Sequence, residues 1–300
     1  MPTLRVEIDI FSGRPNPVIE LTGRDASALL DRLRDTRRLE KGEPALPPIP
    51  TLGYRGMIVS QIDAATRGIP RSFRIAHGTL LGGRAPLATA DESLEDVVLD
   101  SAALKKAALG RDFKSKLTRE IERFRRIRIR WPWRPPKRKF PIARLRCRCA
   151  PLYEPAWWND AQRQPKNNCY NYASNYRTDT FRQIPDGSQP GAAAGAMYAS
   201  ITGAEVRTAA VADGLIASPL ANNRCPGEGH LVALVIAPGW DFHWFRKGRT
   251  GRWSHKPGST PVIDVDNSNA PIVDPRTADR GAYTQFTTFM TVMHGHVKIK

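Results

Sequence analysis

The chain of 300 residues contains no apolar run of the roughly 20 residues that a membrane-spanning helix needs. It opens MPTLRVEIDIFSG, with charges at alternate positions and none of the apolar core a secretory signal carries. The cytoplasm is therefore the default expectation, with export by a route that leaves no cleaved signal, as for some toxins and effectors, as the alternative. Cysteine is scarce. Cys147, Cys149, Cys169 and Cys225 are too few for a disulfide-built scaffold. Cys147 and Cys149 stand at C-x-C spacing with no second pair beside them, which does not make a zinc site. In an oxidising compartment Cys225 can bridge to either one, and the sequence does not choose. Acidic residues are also few, 29 against 46 Lys and Arg, for a net charge of +17.

That charge is not spread evenly. Residues 111–148 carry +13 and the other 262 carry +4. A uniformly basic fold would suggest nucleic acid. A single basic belt between two nearly balanced segments speaks instead of a linker, of contact with an anionic surface, or of an acidic partner or a cover over a cleft. Phe113, Leu117, Ile121, Phe124 and Ile127 give the belt's first half a helical apolar stripe. Trp131-Pro132-Trp133-Arg134-Pro135-Pro136 ends that helix, because proline lacks the backbone donor. The aromatics beside arginine suit either a membrane interface or phosphates and stacked bases.

The organisation follows as α+β. Residues 1–110 form a small N-terminal α+β domain of unassigned role, 111–150 a basic helix and Pro-rich linker, and 151–300 a second domain. Leu4, Val6, Ile8 and Ile10 alternate with charge and predict a strand, and Val18–Leu21 predicts its partner across a Gly/Pro turn. Helices are expected to about Arg37 and over Asp91–Leu109, with strands at Tyr54–Ser60 and Ser72–Leu80. His77 stands alone in this domain and reads as structural. In the second domain, Thr202-x-x-Glu205 has capping-box form and Gly214 suits the helix end. Leu231–Ile236 predicts a buried strand and Asp241–Arg246 the next one.

The residues that suggest chemistry lie in this second domain. Cys169 stands where a helix should begin, where unpaired backbone donors and the helix dipole favour a thiolate. His230 opens the buried strand, and His243 lies on the strand after it. A tight antiparallel turn can bring the two imidazoles alongside, one as base and one fixing its tautomer. Asp241 and Asp266 are rival orienting groups. His255, in Trp253-Ser254-His255-Lys256-Pro257-Gly258, reads as a surface turn or a cleft wall. His230, His243 and His255 match no compact zinc spacing. Asp264, Asp266, Asn267 and Asn269 lack the glycine and terminal glutamate of an EF-hand loop. No metal or cofactor is expected.

Asn168-Cys169-Tyr170, Gly229-His230-Leu231-Val232-Ala233-Leu234 and Asp241-Phe242-His243-Trp244 together resemble the papain-like cysteine hydrolases, most closely their NlpC-type amidase branch. The resemblance covers residues 150–300. It implies a helix packed on an antiparallel sheet, with Cys169 as nucleophile, His230 as base and His243 as the third residue. An amide would be cleaved through an acyl-enzyme, with a protein or peptide as substrate. The oxyanion donors it implies are the Cys169 amide and a glutamine six residues earlier. Arg163 holds that position, flanked by Gln162 and Gln164, and Asn168 and Gln164 join the cleft candidates. The alternative is a non-catalytic binding protein with an inactive papain-like domain, engaging a membrane or nucleic acid through its belt.

Overall fold

A computed structural model describes residues 2–34, 37–38, 50–63, 66–76, 79–82, 85–89, 94–107, 109–110, 112–126, 147–183, 187–217 and 222–300. The fold is α+β, and the chain divides into two compact units. One comprises residues 1–10, 16–49 and 54–136, the other 11–15, 50–53 and 137–300.

The first unit is built on strands β1 (Thr3–Asp9), β2 (Val18–Thr22), β3 (Arg37–Arg38), β4 (Gly56–Gln61), β5 (Ser72–Ala76), β6 (Thr79–Gly82) and β7 (Ala85–Thr89). They form one antiparallel sheet in the order β2-β1-β4-β5-β6-β7-β3. Alternation places Leu4, Val6 and Ile8 in the core, with Val6 opposite both Ile19 and Val59. Helix α1 (Gly23–Arg34) buries Ala26, Leu29, Leu30 and Leu33. The single helix expected over 91–109 is two among the described residues, α2 (Leu94–Asp100) and α3 (Ala102–Lys106). Ser101 divides them: its backbone is extended and its hydroxyl accepts from the Leu104 amide as an N-cap. The run Ser72–Leu80 likewise holds two strands rather than one.

Helix α4 (Phe113–Arg126) is the described part of the basic belt. The described part of its apolar stripe is buried, namely Phe113, Leu117, Ile121 and Phe124, and Phe124 meets Tyr54 edge-on, centroids 5.6 Å apart. Ile127, Trp131, Trp133, the rest of the belt to Arg146 and His77 lie outside the described residues. Deep in this unit the Asp9 carboxylate takes Arg55 at 2.6 Å and Arg74 at 2.7 Å. The two guanidiniums hold its pKa far below the usual range against the opposing effect of burial.

The second unit has helices α5 (Pro155–Trp158), α6 (Cys169–Ser174) and α7 (Gly203–Ala212), and strands β8 (Ile216–Ala217), β9 (His230–Ala237), β10 (Asp241–Lys247), β11 (Trp253–His255) and β12 (Gln285–Val292). The sheet is antiparallel in the order β11-β10-β9-β12-β8. Every residue of β9 is buried, as its continuous apolar run predicts for a central strand, and β10 is buried throughout as well, where its alternation predicts one exposed face. Val232, Leu234, Ile236, Phe242 and Trp244 pack with Cys169, Tyr170 and Ala173 of α6 and with Val206 and Ala210 of α7. Each such aliphatic side chain contributes roughly 1.5–3 kcal/mol by leaving water. The Thr202 hydroxyl caps α7, and Gly214 follows its end at φ +98°, a backbone shape that suits glycine. A disulfide joins Cys147 to Cys225.

Candidate functional site

Asn168 builds the start of α6. Its Oδ1 accepts from the amides of Tyr170 (2.9 Å) and Asn171 (3.0 Å), while Asn171 Oδ1 accepts from the Asn168 amide, a reciprocal capping box. Asn168 Nδ2 donates to the carbonyls of Gly13 and Ser188, so the cap also fastens two loops. Cys169 is the first helical residue, as expected. Its surroundings are not those of a nucleophile. It is fully buried, with the Ser12 side chain and the Trp244 backbone as polar neighbours. Burial, then the Asp241 charge, pushes its pKa up, which opposes thiolate formation.

His230 is not its partner. His230 Nε2 donates to the Ala173 carbonyl at 2.7 Å, at the other end of α6. The strand register explains the separation. The β9–β10 hairpin sets His243 opposite Val235, so His230 lies five residues further along β9, about 17 Å at the strand rise. The two imidazoles expected side by side are therefore apart. Burial lowers the His230 pKa to about 4, so the ring is neutral near pH 7 and serves as a buried donor.

His243 does approach Cys169, through a hydroxyl rather than directly. Its Nδ1 lies 2.6 Å from Ser12 Oγ and its Nε2 2.9 Å from His255 Nδ1. His255 Nε2 lies 2.9 Å from the Val265 carbonyl. Proton positions follow from the far end. A carbonyl only accepts, so His255 Nε2 carries the hydrogen. Burial lowers the His255 pKa to about 4, and its neutral ring then accepts at Nδ1. His243 must donate from Nε2, and in its neutral form it accepts from Ser12 at Nδ1. The Gly258 amide completes the Ser12 oxygen at 3.1 Å. The result is a one-directional chain from Ser12 through two imidazoles to a backbone carbonyl.

Asp241 is the second focus. Its carboxylate accepts from the amides of Ser12, Gly13 and Arg14 and, at 2.5 Å, from the Tyr283 hydroxyl. It orients a backbone turn, not an imidazole. Burial raises its pKa against these donors. Gly13 fits this turn because a Cβ there would run into the Phe242 ring. Lys256, fully buried, donates to the carbonyls of Gln164 (2.7 Å), Asn167 (2.7 Å) and Gly258 (2.8 Å). Gln164 Nε2 is committed to the Ser259 carbonyl. Asp266 accepts from Ser268, Ala270 and Asp279 in its own loop and acts on His255 only as a nearby charge. The segment read as a surface turn around His255 is instead buried strand β11.

The expected residues thus fall into separate groups. His243 and His255 join one chain with Ser12 and Cys169, Asp241 holds the turn beside it, and His230 and Asp266 stand elsewhere. Cys169, His230, His243, His255, Asp241 and Ser12 are none of them more than 3% exposed. Such an assembly fixes loops and satisfies buried polar atoms. Sequence reasoning missed Ser12, Tyr283 and the anchoring role of Lys256. Ser12 shows only as turn chemistry, 231 residues from His243. Among the described residues no group of three or more His, Cys, Asp or Glu side chains is placed to hold a metal.

No family model matches the chain, and no solved structure matches it significantly. It is 43% identical to insoluble matrix shell protein 1 of Ruditapes philippinarum over 146 residues, 48% of this chain and 91% of the relative. The chain belongs to the family of that shell protein. Membership in the shell matrix family overturns the papain-like resemblance, and with it the reading as a cysteine peptidase or amidase with a thiol nucleophile. The named relative is a matrix protein, which points away from an enzyme. The geometry agrees, since the Cys169–His230 dyad is not formed.

Proposed function

We propose that this protein is a non-catalytic structural or binding component of an extracellular matrix. The observation that carries the reading is the 43% identity across 91% of a shell matrix protein. Two features support it. The Cys147–Cys225 disulfide suits an oxidising compartment, in place of the cytoplasmic default. The buried Cys169–Ser12–His243–His255 chain suits a rigid module more than a reacting site. No helix among the described residues is long and apolar enough to cross a membrane.

Within this reading, the basic belt is the contact for an anionic surface. In α4 the apolar stripe is already packed, and Lys114, Arg119 and Arg126 are exposed. A helix with its apolar face occupied offers charge rather than insertion, so the contact is electrostatic and salt-sensitive. Co-sedimentation of the full chain with carboxymethyl-cellulose and with neutral cellulose, at low and high salt, tests this. Retention on the acidic matrix, released by salt, is expected. Equal retention on both, or on neither, rejects the anionic contact. Selective alkylation of Cys169 in the folded chain would reject the structural reading itself.

A further inference from the structure

Three of the four cysteines meet at one place in the second unit. Cys147 is bonded to Cys225 with their Cα atoms 5.3 Å apart. Cys149 is a free, exposed thiol. A tight turn, closed by the Ala150 amide donating to the Cys147 carbonyl at 3.1 Å, folds residues 147–150 back on themselves. The Cys149 thiol consequently lies 3.6 Å from the carbonyl of Gly227, two residues beyond Cys225. Cys147 and Cys149 therefore face the same short loop, the one that holds Cys225.

We infer that Cys147, Cys149 and Cys225 form a thiol–disulfide exchange site. Cys149, as thiolate, attacks Cys225 Sγ. The Cys149–Cys225 bond forms as the Cys147–Cys225 bond breaks, and Cys147 leaves as thiolate and takes up the proton that Cys149 released to solvent. The redox state is unchanged and no oxidant is consumed. The exchange moves the free thiol from exposed Cys149 to Cys147, which is 4% exposed. It thereby sets whether a surface thiol is available to an external disulfide. This inference is independent of the matrix reading, since it rests on the three cysteines alone.

Peptide mapping tests it, because trypsin cuts after Arg148 and separates Cys147 from Cys149. The full chain is held at mildly alkaline pH, quenched in acid, alkylated with N-ethylmaleimide and digested. Both Cys147–Cys225 and Cys149–Cys225 peptides are expected, each with the adduct on the remaining cysteine. Cys149→Ser should give only the first. Cys147→Ser, refolded in a glutathione redox buffer, should give the second. A wild-type chain that keeps only Cys147–Cys225 through long alkaline incubation overturns the proposal. So does a Cys147→Ser chain with a native circular dichroism spectrum in which Cys149 and Cys225 both remain alkylatable. If Cys147→Ser does not fold, the wild-type map decides alone.

Discussion

His230 donates from Nε2 to the carbonyl of Ala173, 2.7 Å away, at the opposite end of the six-residue helix that Cys169 begins. The imidazole ties the mouth of β9 to the end of α6 and satisfies a helix carbonyl that has no intrahelical partner. His230→Ala leaves that carbonyl buried without its donor and opens a cavity. A loss of roughly 2–4 kcal/mol is expected. His230→Gln, which retains an amide donor, should recover part of it. Urea denaturation of the three chains measures this, and equal midpoints for wild type and His230→Ala would refute the tie.

Cys169 should behave as a buried hydrophobe with a weak hydrogen bond. In the folded chain iodoacetamide should modify Cys149 and spare Cys169, and both should react once the chain is unfolded in urea. Cys169→Ala removes one heavy atom from a packed site, so a loss of about 1 kcal/mol is expected. Intact-mass analysis before and after denaturation reads the labelling. Preferential modification of Cys169 in the native state is the contrary result.

Much of the second unit was legible in the sequence because its signals are local. The Thr202 cap, Gly214, the apolar run of β9 and the alternation of β10 each lie within a few residues of the element they specify. Cys169 was correctly set at a helix start for the same reason. Two elements escaped. Strand β12 lacks a clean period, its burial running from exposed Gln285 to fully buried Val292. Strand β11 is three residues whose Ser254 and His255 read as loop. The partnerships failed for a different reason. Cys, His and His in papain-like order do not fix register, and register decides that His243, not His230, is near the helix start. Ser12 and Tyr283 reach this region from distant parts of the chain, and no local pattern marks them.

Lys256 fastens the loop ahead of α6 to the turn after β11 by three charge-assisted bonds to carbonyls of Gln164, Asn167 and Gly258. Lys256→Met keeps much of the length and volume but leaves these acceptors without their shared donor. A loss of about 2–5 kcal/mol is expected. Lys256→Arg should not restore it, because a planar fork does not fit a site built around a compact ammonium. Thermal unfolding of both variants reads the effect. A melting temperature unchanged in Lys256→Met contradicts the anchoring role.

Acid should weaken the second unit before it protonates most carboxylates. His230 and His255 titrate at about 4 in the folded chain against 6.5 for an ordinary histidine, because burial disfavours the charged ring. Between those values the unfolded chain binds more protons than the folded one, so stability falls as pH drops. The contribution is fully present above about 6.5 and is gone below about 4, and it amounts to roughly 3 kcal/mol per histidine. Asp241 and Asp213, whose carboxylate accepts from the Tyr170 hydroxyl and the Gly191 amide, act in the other direction, since burial raises their pKa and the folded state takes up their protons first. They offset part of the loss at the lower end of the window. Urea midpoints measured from about pH 7 down to about pH 5 should therefore decline, and His230→Gln, which keeps a donor but does not titrate, should decline less steeply. A midpoint that stays level or rises on acidification in the wild-type chain would show that these histidines are not held neutral.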